Sequence, residues 1–228
     1  MTYENYYGVM ANALAIFAGG MAGALLGSRF APNLQKITMQ ALGLVTLFIG
    51  LEMAMQGEKI LFLILSLVFG GLAGELLGIQ RRLNSWEKKL DGKLKDGEGV
   101  GKGLVFATLI YGIGPMAIMG SLESGLTNTH NILFTKALLD GMSAIPFAAA
   151  MGLGVSLAAI PVFIYQGSIV LFAFTVSPFL TPEVTGEITA VGGLLILAIG
   201  LNILQVTHIP VASLLPSIPI IVCFLFLF

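Results

Sequence analysis

The sequence predicts an all-α polytopic membrane protein with about eight transmembrane helices. Of its 228 residues 57% are apolar and only 10% are charged, and the mean hydropathy is +0.96. A soluble domain carries about 25% charged residues, and so few charges cannot cover a water-facing surface. The composition therefore excludes a soluble globular enzyme, a disordered chain and a nucleic-acid-binding protein.

The predicted spans follow from the length of the apolar stretches. A helix needs about 20 mostly apolar residues to cross a hydrocarbon layer of about 30 Å. Eight segments meet this requirement: 8–27, 37–56, 60–79, 102–122, 131–159, 160–180, 187–205 and 209–228. Between Asn131 and Leu180 the only interruption is the Ala-Ile-Pro sequence ending at Pro161. A kinked long helix or a re-entrant segment is therefore an alternative for spans five and six.

The basic residues predict the orientation. Nine of the eleven follow the first or the third span: Arg29, Lys36, Arg81, Arg82, Lys88, Lys89, Lys93, Lys95 and Lys102. The positive-inside rule places these loops in the cytoplasm and the N-terminus outside. Eight crossings place the C-terminus outside as well. The first ten residues contain no Lys or Arg, so the first span is expected to be retained rather than cleaved as a signal peptide.

A polar segment separates the third span from the fourth. Apolar residues recur there at spacings of three and four, which predicts an amphipathic helix; they are Ile79, Leu83, Trp86, Leu90 and Leu94. A Trp on such a helix favours an anchor on the cytoplasmic leaflet, and a docking helix for a soluble partner is the alternative. The chain is thus divided into an N-terminal membrane part (1–79), a cytoplasmic linker (80–101) and a C-terminal membrane part (102–228).

Two internal repeats are present. GGMAGALLG at 19–27 recurs as GGLAGELLG at 70–78, and each copy has glycines at four-residue spacing that favour close helix packing in lipid. GLVTLFIGL at 43–51 matches GLLILAIGL at 193–201, with six of nine residues identical. The second repeat aligns spans two and three with spans seven and eight. Matching spans are offset by five in chain order, an odd number, so the copies would be inverted in the membrane, as in many secondary transporters.

Ionisable and helix-breaking residues inside the spans indicate a binding site. Asp140 lies about 14 Å along span five from its start, near the bilayer midplane, and Lys136 is one turn away on the same face. Gly141 and Pro146 follow, which predicts a break in the helix near the acid. The pair is either a coupling or substrate site or a structural ion pair; alternatively, Lys136 extends outward to the interface.

Span four contains Gly114-Pro115, which predicts either an unwound turn with free backbone groups or an ordinary proline kink. Glu75, which replaces the alanine of the first glycine repeat, lies about one turn inside the cytoplasmic boundary. Gln166 is expected to bond across helices. The complete set of candidate substrate- or ion-binding residues is Asp140, Lys136, Gly114, Pro115, Ser121, Gln166 and Glu75. Asn12 is assigned to a span end that water reaches.

Five segments carry a family resemblance: NALAIFAGGMAGALLG from Asn12, GELLGIQRRL from Gly74, GPMAIMGSLESGL from Gly114, TKALLDGMSAI from Thr135 and PVFIYQG from Pro161. In this order they resemble the bacterial membrane proteins grouped as domain of unknown function 554, the YdfK/YqgA-like proteins. The resemblance covers nearly the whole chain. It implies an all-helical fold in the bacterial inner membrane, and it supplies no activity and no site residues.

The sequence is compatible with three functions. A small secondary transporter for a solute or an ion fits the inverted repeat, the Gly-Pro break and Asp140. A channel would line a continuous pore with the same groups, and a scaffold would use the glycine repeats and the Trp86 helix to bind partners. No HExxH, P-loop or GxSxG motif is present, so an enzyme, a cofactor and a metal site are not expected. The expected partners are membrane lipid, the solute or ion and a second copy in a homodimer, with no nucleic acid.

Overall fold

Helices are the only regular secondary structure among the residues that the structure describes. The computed structural model describes 3–27, 32–91 and 100–227, with the backbone alone for 32, 35 and 86–91. After a 3₁₀ turn at Tyr3–Tyr6, the helices are α1 Tyr7–Gly27, α2 Pro32–Ala54, α3 Ile60–Leu76, α4 Ile79–Asp91, α5 Val100–Gly112, α6 Pro115–Thr127, α7 Asn131–Met151, α8 Gly154–Leu157, α9 Ala159–Leu171, α10 Ala173–Val176, α11 Pro182–Ile203, α12 Val211–Leu214 and α13 Ser217–Leu227.

The lengths of these helices agree with a polytopic membrane protein. Among the described residues, five helical segments are long and apolar enough to cross a membrane, and seven are if each of two bent helix pairs counts as one span. The shorter apolar segment Val211–Leu227 occupies the position of the eighth predicted span. The predicted class, an all-α polytopic membrane protein, is thereby confirmed, whereas the described residues contain five to seven candidate spans instead of the predicted eight.

Two compact units divide the chain. The first contains Met1–Thr38 and Leu90–Thr181, and the second contains Met39–Lys89 and Pro182–Phe228. Each unit is therefore assembled from two stretches that are separated in sequence.

In the first unit α1 packs alongside α7 in parallel. A Cβ added at Gly19, Gly23 or Gly27 would collide with a backbone carbonyl of α7. The carbonyls that these three glycines face belong to Gly141, Ile145 and Ala149, in that order. Because glycine has no side chain, the two backbones touch, which is how helices gain dispersion contact in lipid.

The fourth predicted span is broken, as the sequence indicates. Helices α5 and α6 meet at an angle of 62°, and Gly114 between them has φ +155° and ψ 156°, at the limit of the region that favours glycine. Pro115 is the first residue of α6, where its missing N–H leaves no hydrogen bond unmade. The prediction of at least one broken helix is confirmed here.

Two details of spans five and six were predicted incorrectly. Helix α7 continues through Asp140 and Pro146 without a break, and its packing against the glycine face of α1 explains why it stays straight enough to do so. Helix α7 ends at Met151, where Gly152 takes φ +74°. The boundary between spans five and six therefore lies before the predicted position at 159–160. Pro161 does not end a helix, because it lies in the first turn of α9, where N–H groups need no intrahelical acceptor.

In the second unit α2 and α11 cross in antiparallel directions. Four glycines at this crossing lie so close to the other helix that an added Cβ would collide with it. The close pairs are Gly43 with Leu204, Gly50 with Leu197, Gly200 with Leu47, and Gly193 with Ala54. The close approach thus depends on glycines contributed by both helices.

Helix α3 packs antiparallel to α12 and α13 in the same unit. A Cβ at Gly70 or Gly74 would collide with Ser217 or Ser213, respectively. The Phe62 ring lies 6.1 Å from that of Phe224, which extends the contact along the helix.

The predicted amphipathic segment is helical as α4. Gly78, at φ +63°, forms the turn that separates it from α3, and Gln80 Oε1 accepts a hydrogen bond of 3.1 Å from the Ala212 N–H. The predicted membrane anchor lies outside the described residues, because the Trp86 side chain and the segment 92–99 are not part of them.

Candidate functional site

A buried ion pair lies in the middle of α7. Lys136 Nζ is 2.7 Å from Asp140 Oδ2, and the two side chains are 9% and 10% exposed. The residues are one helical turn apart, which is the spacing at which side chains on one helix face meet. Lys136 therefore pairs with the acid and does not extend outward to the interface.

Two amide side chains lie next to this pair. Asn12 Nδ2, on α1, donates a 3.2 Å hydrogen bond to Gln166 Oε1, on α9, and the Asn12 side chain also lies against the Asp140 carboxylate. Both amide residues are completely buried. Asn12 Oδ1 and Gln166 Nε2 have no hydrogen-bond partner among the described residues, so one acceptor and one NH₂ donor remain unused in the interior.

Two hydroxyl groups complete the arrangement on the side of α5. Ser143 Oγ donates to the Asp140 backbone carbonyl at 3.0 Å, so the 3.2 Å contact between Tyr111 and Ser143 uses the tyrosine hydroxyl as donor. The Tyr111 ring centroid lies 6.0 Å from Lys136 Nζ, which is within cation–π range. We call Asn12, Tyr111, Lys136, Asp140, Ser143 and Gln166 the polar cluster.

The packing of four helices positions the polar cluster. The glycine face of α1 brings Asn12 to α7, and Ser156 Oγ of α8 donates a 3.0 Å bond to the Phe17 carbonyl of α1. The break between α5 and α6 comes three residues after Tyr111. A Cβ at Gly112 would lie 4.0 Å from Tyr165, the neighbour of Gln166, so the broken helix borders the polar cluster.

The remaining candidate residues contact other parts of the molecule. Ser121 is fully buried and donates to the Ala117 carbonyl of its own helix at 2.6 Å. Glu75 belongs to the second unit, where it accepts a 3.2 Å bond from Ser213 Oγ and lies 3.9 Å from Arg81. Lys136, Asp140 and Gln166 are thus brought together, and no described contact joins Ser121 or Glu75 to them.

Sequence reasoning missed two features. The structure buries Asn12, which was assigned to a water-accessible span end, because α1 packs on both α7 and α9. It also buries Glu187, which is 2% exposed in the second unit. Glu187 Oε1 accepts the N–H groups of Glu58 and Lys59 at 2.7 and 2.8 Å, at the start of α3. An acid inside a predicted span was the available signal for this residue.

The polar cluster has the chemistry of a binding site. Its described charges, one ammonium and one carboxylate, sum to zero, and amides and hydroxyls surround them. Within the described part of the chain no three His, Cys, Asp or Glu side chains gather as a metal site would require. The arrangement therefore combines opposite charges with hydrogen-bonding groups, which are the groups that recognise small polar molecules.

Comparison with known proteins gives a family and two relatives. The family model described as "Protein of unknown function (DUF554)" matches residues 7–226. The chain is 34% identical to "Uncharacterized membrane protein YdfK" of Bacillus subtilis (strain 168) over 224 residues, which cover 96% of each chain. It is 29% identical to "Uncharacterized protein YqgA" of Escherichia coli (strain K12), with 92% of each chain covered. No solved structure matches.

Proposed function

The chain belongs to the DUF554 family of membrane proteins, and from this premise we propose that it is a small secondary transporter for a small solute or ion. The observation that carries the proposal is the buried polar cluster around Lys136 and Asp140. Ionisable groups inside a membrane are costly and mark substrate or ion pathways. Apolar residues of similar volume often stabilise a protein as well as a buried ion pair does, so stability alone does not account for this pair.

The helix crossing of the second unit supports the proposal independently. The aligned copies of the longer repeat differ by 150 in residue number. Adding 150 to one residue of a close pair and subtracting 150 from the other converts Gly43–Leu204 into Gly193–Ala54, and Gly50–Leu197 into Gly200–Leu47. Each contact between the two helices therefore has an equivalent contact when the two repeat copies are interchanged. Two inverted repeats would pack in this way, and transporters are commonly built from such repeats.

The break between α5 and α6 is a third supporting feature. Interrupted helices give transporters unpaired backbone groups and a hinge beside the substrate. Here the break at Gly114 adjoins the polar cluster, and a Cβ at Gly114 would meet nothing within 4 Å. The near-complete burial of Lys136 and Asp140 favours a transporter with an occluded site over a channel, whose polar groups would line a hydrated pore.

The proposal includes a placement in the bacterial inner membrane. The positive-inside rule supports an external N-terminus and a cytoplasmic 80–101 linker. A homodimer remains part of the proposal, but it needs a surface other than the glycine faces, because Gly19, Gly23 and Gly27 contact α7 and Gly70 and Gly74 contact α12 and α13 within one chain. Chemical cross-linking of the protein in native membranes would detect the dimer.

Uptake into proteoliposomes tests the proposal. The purified protein is reconstituted, and labelled amino acids, sugars, nucleosides, organic acids and inorganic cations are offered under proton and sodium gradients, with empty liposomes as reference. We expect saturable uptake of at least one solute, reduced at least about tenfold by Asp140→Asn, which is the loss of about 1.4 kcal/mol of binding or more.

A matched variant controls for the loss of a carboxylate. Glu183 forms an ion pair of 2.6 Å with Lys59 but is 57% exposed, and Glu183→Gln should leave uptake unchanged. Uptake that survives Asp140→Asn unchanged, including its pH dependence, would remove Asp140 from the mechanism. Flux that rises linearly with concentration would indicate a channel, and no flux for any solute would favour a scaffold.

A further inference from the structure

We infer that the polar cluster binds a small zwitterion carrying one primary or secondary ammonium and one carboxylate group, such as an α-amino acid. This inference rests on the proposed transport function and specifies its substrate class. It follows from the charge balance of the site, from the second partners of both charged residues and from the unused amide atoms.

The charge balance excludes ligands with a net charge. The described charged groups of the cluster are the Lys136 ammonium and the Asp140 carboxylate, which neutralise each other at 2.7 Å. An added net charge would be left without a counter-charge in a medium of low dielectric, where an unpaired ion is strongly disfavoured. A zwitterion avoids this penalty, because its carboxylate replaces Asp140 at Lys136 while its ammonium replaces Lys136 at Asp140.

Both residues of the pair keep another partner when they separate. The Tyr111 ring lies 6.0 Å from Lys136 Nζ, so the ammonium retains a cation–π contact. The Asn12 side chain lies against the Asp140 carboxylate. Because each charge is supported from a second helix, opening the pair for a ligand leaves neither of them isolated.

The unused amide atoms match the remaining polar groups of such a ligand. Gln166 Nε2 is a buried donor and Asn12 Oδ1 a buried acceptor, and neither has a partner among the described residues. Buried polar atoms without partners are rare in proteins and call for an explanation. A carboxylate has spare acceptor sites for the glutamine and an α-ammonium has spare N–H groups for the asparagine. Groups of both kinds are present in one amino acid.

Thermal stabilisation of the purified full chain tests the substrate class without a transport assay. The zwitterionic probes are glycine, L-alanine, L-serine and L-proline. The comparison probes are methylammonium chloride, sodium acetate and urea, which present the cation, the anion and a neutral amide alone. All are compared at equal ionic strength. We expect at least one zwitterion to raise Tm saturably by about 2–4 °C and the comparison probes to have no such effect.

Two double variants separate the site from general effects. Lys136→Met with Asp140→Leu removes both charges together, so that neither is left unpaired, and it should abolish the shift in Tm. Lys59→Met with Glu183→Leu removes the exposed ion pair of the second unit and should leave the shift intact. Circular dichroism of each variant verifies that it is folded.

The outcomes distinguish this inference from the transport proposal. No shift with any zwitterion, an equal shift with acetate, methylammonium or urea, or a shift that persists in the Lys136–Asp140 double variant would overturn the substrate class. Saturable uptake of a non-zwitterionic solute would overturn it too, while leaving transport intact. A zwitterion that stabilises the protein but is not carried into proteoliposomes would support the site and refute transport.

Discussion

Removing one member of the Lys136–Asp140 pair should destabilise the protein far more than removing both. Asp140→Asn leaves a 9%-exposed lysine without its counter-charge. At a separation of 2.7 Å and an effective dielectric constant of about 20, the lost attraction is roughly 6 kcal/mol. Since the desolvation cost of the carboxylate is also removed, the free energy of unfolding should fall by about 3–5 kcal/mol.

The double variant Lys136→Met with Asp140→Leu has no buried charge to leave unpaired. Its remaining cost, about 1–2 kcal/mol, comes from the neighbouring polar groups such as Asn12, which lose a charged neighbour. The single variants Lys136→Met and Asp140→Leu each leave one charge unpaired and should each cost about 3–5 kcal/mol. The sum of their costs should therefore exceed the cost of the double variant by at least about 4 kcal/mol.

Unfolding in detergent micelles, followed by far-ultraviolet circular dichroism, measures these differences. The exposed pair Lys59–Glu183 is the control, because its side chains are 41% and 57% exposed and its coupling should stay below about 1 kcal/mol. Additive effects of the two α7 substitutions, or an equal coupling in the control pair, would refute the argument that burial makes the charges interdependent.

Three further substitutions probe single contacts. Glu187→Gln weakens the buried acceptor of two backbone N–H groups at the start of α3. The free energy of unfolding in detergent should fall by about 1–3 kcal/mol. An unchanged stability would show that the negative charge is not needed there. Gly74→Ala places a Cβ on the Ser213 carbonyl and should lower the free energy of unfolding by about 1–3 kcal/mol. A Cβ at Gly71 meets only a leucine side chain at 3.1 Å, so Gly71→Ala should be tolerated. Equal effects of the two substitutions would contradict the close packing. Asn202→Ala removes two 2.8 Å hydrogen bonds to one residue of the loop between α11 and α12 and should speed amide hydrogen exchange in 204–210, where an unchanged rate would contradict the assigned role of the side chain.

The sequence was sufficient to predict the helical membrane fold and the break in span four. Composition and apolar length determine the first, and a glycine followed by proline in the middle of an apolar stretch disfavours a continuous helix for local reasons alone. The effect of Pro146 could not be predicted in the same way, because the helix it occupies is supported by the glycine face of α1, and that support depends on tertiary packing.

Only the charged residues of the site, whose burial in a membrane costs the most free energy, could be predicted from the sequence. Asp140 and Lys136 stand out because charges are rare in a span, and their spacing predicts that they meet. Asn12 and Gln166 lie 154 residues apart, and a single amide near a helix end has no periodic signal to connect it with another. Glu187 was missed because an acid near the start of a span is normally assigned to water.

The second unit consists of two stretches that are far apart in the sequence, and this has a consequence for its biosynthesis. Its first stretch ends at Lys89 and its second begins at Pro182, so a ribosome must add the 92 residues from 90 to 181 in between. At about 5–20 residues per second this delay lasts roughly 5–20 s. Throughout it, the newly inserted α2 and α3 have glycine-lined surfaces facing lipid or other membrane proteins. This interval should be the step of biogenesis at which an insertion chaperone protects the nascent chain.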